Sequence, residues 1–459
     1  MKDKFTGMPH SKAYIDFAKE TGKLYLKNHS YGIGGINYIP MADNVAEGMK
    51  KLKPKLIRIF IQEFFFIYDE NGNLDFTLLD PYMKAVNSTG ADIMASICIK
   101  PKLLYPVVDE NIWMPNDTEK WKFVISEMVR RYSVENKYVT YWGIGNEINI
   151  GEYGGCPYKI SDVNDYFEYY KLTADAVLTA YPEGKVGGPS FAGVSEETFK
   201  FFNEFIPLCK NGNVQLDFIS YNIYSDSIGY HMSSARKIKD IAAEYDDGIE
   251  VYVTEMNIGI GNEISLEEKA YDSKRAAALA AIILDYNEKV PEVGTFQYHI
   301  YDQYCDPYDF EPFYARYRYM ANHWNDEPHR LGLFDEDGRE RPQYQMYKLL
   351  NEMAEDCVEA VLDNADIHIA ASKDEKSAAE KVTVFMANYS GESSSDTIVS
   401  LYLKNCFSGM ARLTVQRIDN TSDIGVKITE NRRTYVHSDF WFSVFVPADS
   451  CVKVTLTLC

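Results

Sequence analysis

From about residue 30 the chain alternates short apolar runs with segments whose apolar residues recur three and four positions apart. YGIGGINYI (31–39), KLIRIFI (55–61), DIMASICI (92–99) and YVTYWGIG (138–145) read as the first four strands. KVGGPSFAG (185–193), LDFISYNIYS (216–225), EVYVTEMNI (250–258) and VGTFQYHIYDQY (293–304) supply four more. Helical patterns separate them, as in TEKWKFVISEMVRRYS (118–133) and VNDYFEYYKLTADAVLTAY (163–181). Strands buried on both faces are expected to be nearly continuous apolar runs, and these are. Eight strand-then-helix units in about three hundred residues predict a closed (β/α)8 TIM barrel. An open doubly wound sheet would favour a Gly-rich phosphate turn, and GIGG at 32–35 lacks the full spacing.

Near residue 345 the rhythm changes. MYKLLNEMAEDCVEAVLD reads as helical or transitional, and KDEKSAAE (373–380) as a polar break. KVTVFMANY, DTIVSLYLKN, ARLTVQRID, GVKITE, WFSVFVPA and CVKVTLTL then alternate with turns and no helices. That is a β-sandwich pattern. The expected organisation is therefore a barrel over 30–345 and an accessory β-sandwich over 346–459. The N-terminal segment 1–29 is a candidate to join the sandwich. Tyr435, Phe440 and Trp441 are expected in the sandwich core.

Composition narrows the class. The chain has 459 residues, 46% of them hydrophobic, with Tyr 35, Phe 24 and Trp 5, which is too apolar and aromatic for disorder. A formal charge of -21 repels phosphate backbones and argues against a nucleic-acid partner. Eight cysteines in a chain of this length make no disulfide framework. Cys98 and Cys209 read as core thiols, and Cys156 and Cys305 fall in strand-end loops that might meet. No metal-ligand spacing or cofactor motif is present, so neither a metal nor a cofactor is expected. No apolar stretch is long enough to span a membrane, and the N-terminus lacks a signal-type apolar core. The sequence as it stands reads as cytoplasmic; a trimmed leader would make it secreted or periplasmic.

Two carboxylates end apolar strands: Glu147 on strand four and Glu255 on strand seven. Barrel chemistry sits at the C-terminal strand ends, so closure aims both into one cup. Paired carboxylates suit glycosidic cleavage, where one donates a proton and the other attacks or activates water. Singly, a strand-end Glu is as often a solvated loop residue; the pair on strands four and seven is harder to explain that way.

Beyond this pair, the chain resembles glycoside hydrolase family 39, the family of β-xylosidases and α-L-iduronidase. The resemblance is carried by LDFTLLDPYMKAVNSTGADIMASICIKP (74–101), YFEYYKLTADAVLTAYPEGKVGGPS (166–190), LDFISYNIYS, VTEMNIG and RLGLFDEDGRERPQYQMYKLL (330–350), in that order. It covers roughly 30–350 and implies a retaining mechanism with Glu147 as acid/base and Glu255 as nucleophile. It further implies that Asn146 binds the 2-hydroxyl and that Arg58 keeps Glu255 ionised. Tyr224 and Asn222, ending strand six, and Tyr298 and His299, ending strand eight, are further substrate-binding candidates. Alternation admits only one of Tyr298 and His299 to the cup, and Tyr298 is preferred. Trp324 reads as helix packing rather than subsite. The chain departs from the family pattern at Ile148, Met256, Asn222 and Tyr298, where Pro, an aromatic, His and Trp are usual. The expected function is a retaining exo-glycosidase of β-xylosidase-like type acting on an oligosaccharide or glycoside, with self-association into a homo-oligomer possible. The alternative is a catalytically inactive carbohydrate-binding protein on the same scaffold.

Overall fold

The computed structural model describes residues 7–24, 29–259, 273–325, 331–374, 380–391, 394–421 and 425–459. Eight parallel strands close into a barrel in chain order: β2 (His29–Gly32), β3 (Leu56–Ile61), β4 (Asp92–Ile97), β5 (Val139–Ile144), β6 (Lys185–Ala192), β7 (Phe218–Tyr224), β8 (Glu250–Asn257) and β9 (Val293–Tyr298). Every residue of β3 and β9 is buried, which is what a strand between a packed interior and a helical layer requires. The first strand is shorter than the apolar run suggests, ending at Gly32, and Ile33 to Ile39 continue as loop.

Amphipathic helices cover the barrel: α1 (Asp43–Leu52), α2 (Leu79–Asn87), α3 (Thr118–Val129), α4 (Val163–Ala180), α5 (Glu196–Asn211), α6 (Ile228–Tyr245) and α7 (Ser273–Lys289). Their starts are written in side chains. The carboxylates of Asp117 and Asp162 and the hydroxyl of Ser227 accept backbone N–H bonds in the first turns of α3, α4 and α6. Two short helices, α8 (Pro307–Phe310) and α9 (Tyr317–Asn325), lie in the loop after β9, and α10 (Pro342–Asn351) completes the outer ring.

The remaining strands form one nine-stranded sheet. They are β1 (His10–Lys23), β10 (Asp356–Leu362), β11 (Ile367–Asp374), β12 (Lys381–Asn388), β13 (Thr397–Lys404), β14 (Gly409–Ile418), β15 (Lys427–Val436), β16 (Phe440–Val446) and β17 (Ser450–Leu458). The order is β15-β14-β17-β12-β11-β10-β1-β13-β16, antiparallel except where β1 runs parallel to β13. The sheet encloses its own apolar core, with Ile15, Phe17, Val384, Leu401, Leu413 and Val454 among its residues. β1 lies inside this sheet between β10 and β13, so the first described strand is a structural part of the second core.

Helix α7 shows why the two layers stay together. It packs against β11, β12 and β17 as well as against the barrel side, so its buried residues run almost unbroken from Ser273 to Tyr286. The Asp285 carboxylate pairs with the His368 imidazole of β11 at 2.8 Å.

Two expectations are corrected here. The segment after Met346 is only helical to Asn351; CVEAVL is β10. Tyr435 and Trp441 are 55% and 64% exposed, because alternation in β15 and β16 turns them away from the sandwich core. Cys98, Cys156, Cys209 and Cys305 are all buried free thiols. The N-terminal residues 1–6 and most of the polar break at 373–380 lie outside the described residues. Among the described residues no helix is long and apolar enough to cross a membrane, and no cluster of side chains suits a metal ion.

Candidate active site

The site is assembled around one guanidinium. Arg58 lies within β3 with its side chain turned into the barrel, fully buried. Its Nη1 donates to Glu255 Oε1 at 2.9 Å. Its Nη2 donates to Asn146 Oδ1 at 2.7 Å and to Ser190 Oγ at 3.0 Å. Its Nε donates to Ser96 Oγ at 3.1 Å. One side chain of β3 thus gathers groups from β4, β6 and β8 and from the turn after β5. A buried charge persists only when paired and hydrogen-bonded, and each N–H that Arg58 spends here fixes a neighbour.

Glu255 belongs to β8 and is 6% exposed. The Tyr224 hydroxyl at the end of β7 donates to its Oε2 at 2.6 Å, while Arg58 holds Oε1. Burial and the adjacent carboxylate push the Tyr224 phenol up, so it stays a donor. Both oxygens of Glu255 are therefore held by donors, which fixes the orientation of the carboxylate.

Glu147 follows β5 in the left-handed region, with φ at 46°. Its N–H donates to the carbonyl of Ser190 at 2.9 Å, and Ser190 is itself left-handed, with φ at 55°. Two such non-glycine residues locked to each other are a local strain that the surrounding bonds maintain. The Asn222 amide donates to Glu147 Oε1 at 2.8 Å, and the Thr254 hydroxyl orients that amide by donating to Asn222 Oδ1 at 2.8 Å. Burial, and then the charge of Glu255, raise the Glu147 carboxyl well above the usual carboxylate range. Asn222 and Arg58 oppose that rise without cancelling it.

These groups face one pocket at the C-terminal end of the barrel. Asn146, Glu147 and Glu255 line it with Gly35, Phe60 and Gln62. Tyr224, Tyr298 and Trp324 add an aromatic wall, and the Tyr298 ring meets Tyr224 edge-on at 6.0 Å.

The matched family model is that of glycosyl hydrolases family 39, over residues 55–426. The chain belongs to that family. A β-xylosidase of Geobacillus stearothermophilus is 30% identical over 119 residues, covering 25% of this chain and 22% of that protein. The match thus spans under a quarter of that relative's length. A crystal structure of a monomeric β-xylosidase from Caulobacter crescentus superposes with a TM-score of 0.74 at 16% identity, over 97% of this chain and 99% of that one. The GH39 enzyme from Xanthomonas axonopodis pv. citri gives 0.75 at 16% identity over 100% of both chains.

In this family 39 chain, Arg58, Asn146, Glu147, Asn222, Tyr224, Glu255 and Tyr298 come together as one constellation. His299 does not line the pocket. It stacks on Tyr298 and faces the Asp302 carboxylate at 3.2 Å, away from the cavity. Trp324, read as packing, lines the cavity instead, because α9 lies over the mouth. Sequence reasoning also missed Gln62, Tyr153, Gly154, Ser190 and Thr254. Gln62 was the most accessible of these, standing just past the end of an apolar run as Glu147 does. Gly154 and Tyr153 sit on a 3-10 turn whose place beside Glu147 no local pattern announces.

Proposed function

We propose that the chain is a retaining exo-acting glycosidase, with Glu147 as acid/base and Glu255 as nucleophile. The observation that carries this reading is the unequal setting of two carboxylates in one pocket. Glu255 accepts from Arg58 on one oxygen and Tyr224 on the other, which fixes it in place as the attacking carboxylate. Glu147 is pushed toward its protonated form by burial and by Glu255. In the first step a Glu255 oxygen bonds to the anomeric carbon as the glycosidic C–O bond breaks, and Glu147 gives its proton to the departing oxygen. In the second step Glu147, now ionised, takes a proton from water, whose oxygen displaces Glu255 from the anomeric carbon. Asn146, held by Arg58 through its Oδ1, is poised to bind the 2-hydroxyl through its amide.

A terminal sugar unit is the first substrate to test, since the described lining residues gather around the two carboxylates. Phe60, Tyr298 and Trp324 give the cavity apolar surface of the kind a sugar ring packs against. Among the described lining residues there is no Lys or Arg, which favours a neutral glycone over a uronate. Xylose is the first candidate, on the strength of the β-xylosidase relative.

The test is hydrolysis of 4-nitrophenyl glycosides of xylose, arabinose, galactose, glucose and fucose in both anomers, by wild type, Glu147→Ala and Glu255→Ala. The expected result is turnover with one glycone, abolished in Glu255→Ala and restored by azide in Glu147→Ala. Glycan binding with no turnover of any glycoside would instead support the inactive carbohydrate-binding alternative.

A further inference from the structure

The chain continues from Glu147 into a 3-10 turn, Gly151–Gly154, that carries Tyr153 to the pocket mouth. This turn is braced on several sides. Asn146 Nδ2 donates to the Gly154 carbonyl at 3.1 Å. The buried Glu152 carboxylate accepts the backbone N–H groups of Ala315 and Arg316 at 2.9 and 2.8 Å. The Glu152 N–H donates in turn to Glu110 at 3.0 Å, and Glu110 faces the Arg316 guanidinium at 3.3 Å.

Although its turn is fixed, Tyr153 is 48% exposed. The Arg316 guanidinium lies over its ring, 4.2 Å from the centroid, and Tyr319 of α9 meets it edge-on at 5.0 Å. Tyr319 stacks on His323, which lines the pocket beside Trp324. A half-exposed aromatic fixed on this many sides does not serve the apolar core, since a core ring is covered by apolar neighbours.

The position of the ring follows from the chemistry. Resting on the reading of Glu147 as the proton donor, the departing oxygen must lie against that carboxyl, and the leaving group must extend along Glu147's side of the mouth. Tyr153 stands on that side, one residue before Gly154, which lies so close to Glu147 that a Cβ there would fall 2.1 Å from Oε2. We infer that Tyr153, backed by Arg316 and Tyr319, is the platform of the leaving-group subsite, and that it takes a leaving group with a flat apolar face: a second sugar ring or an aryl ring.

The experiment compares three substrates of whichever glycone the wild type turns over. The glycosyl fluoride carries no ring beyond the scissile bond, the 4-nitrophenyl glycoside carries an aryl ring, and a disaccharide carries a sugar ring. In Tyr153→Ala, kcat/KM is expected to fall about five- to tenfold on the ring-bearing substrates and far less on the fluoride. Tyr153→Phe keeps the platform and should retain most of the activity on all three. A loss confined to the disaccharide or to the nitrophenyl glycoside assigns the subsite to that kind of ring. Equal loss on all three, or no loss on any, overturns the inference while leaving the glycosidase reading intact. Failure of the wild type on every substrate removes that reading, and the subsite falls with it. Tyr153→Leu serves the same comparison if the alanine variant is poorly folded.

Discussion

Gly154→Ala is the most demanding test of the site's geometry, because it adds one methyl group and no charge. A Cβ at Gly154 would stand 2.1 Å from Glu147 Oε2, 2.6 Å from Glu147 Cβ and 2.9 Å from Ile150 Cδ1. Carbon atoms in contact prefer about 3.5–4 Å. Rotating the carboxylate can relieve the first clash but not the second, since Glu147 Cβ is fixed to the main chain. The main chain there is pinned by Glu147 N–H to Ser190 and by the N–H groups of Ile150 and Gly151 to the Glu147 carbonyl, at 2.9, 3.0 and 3.0 Å. Gly154 does not occupy the left-handed region, so its backbone accepts alanine and the effect comes from contact alone. Something must therefore move by about 1 Å, and a shift of that size at a reacting group costs about a hundredfold in rate. Overpacking should also cost about 1–3 kcal/mol of stability, which a urea titration reads separately. The assay is kcat/KM on a disaccharide of the turned-over glycone, whose sugar leaving group needs the Glu147 proton. A folded Gly154→Ala enzyme within about threefold of wild type would refute the close approach of this turn to Glu147.

Arg58→Met should be harsher on stability than on any one contact. It leaves the Glu255 carboxylate buried without its cation and is expected to cost about 3–5 kcal/mol in urea unfolding; a variant as stable as wild type would contradict the hub assignment. Asn222→Ala removes a donor that favours ionised Glu147, so the Glu147 carboxyl rises further and the alkaline limb of kcat/KM should move to higher pH. An acid-ward shift of that limb would count against the assignment of Glu147 as the proton donor. Glu63, buried behind the β3 end, has its carboxyl pushed up to about 8 by burial, from 4.5. Its folded form binds the proton more tightly than the unfolded chain does, so its contribution to stability is full below about pH 4.5 and declines as pH rises toward 8. Glu63→Gln removes that titration and should gain on wild type between pH 5 and pH 8, by about 1.4 kcal/mol per unit at most. An unchanged difference in urea unfolding free energy at the two pH values would refute it.

Much of the architecture is local information. Apolar runs buried on both sides, helices with Asp and Ser at their starts, and the switch to alternating strands after residue 380 can all be read along the chain, because burial periodicity and capping act within a few residues. The two glutamates were legible for the same reason, since a carboxylate at the end of an apolar run is a local anomaly and barrel closure makes strand ends converge. β10 and β11 were missed because their exposure is mixed, half-buried residues interrupting the alternation. The outward Tyr435 and Trp441 were misjudged because an aromatic on a strand does not declare which face it takes.

What the tertiary structure decided is every relation between distant residues. Arg58 bonds across 38 to 197 positions of sequence, to Ser96, Asn146, Ser190 and Glu255, and only closure of the barrel sets those distances. The amide of Asn222 found Glu147, and β1, a candidate for the sandwich from its sequence, found its slot between β10 and β13, by the same kind of long-range pairing. Alternation chose Tyr298 over His299 correctly, whereas Trp324 reaches the cavity as well as packing because the path of the chain after β9 sets its place. Sequence determined which residues are apolar, which are charged and how they repeat; folding determined which of them meet, because hydrogen bonds and ion pairs are made in space over a few ångströms and leave no periodic trace in the chain.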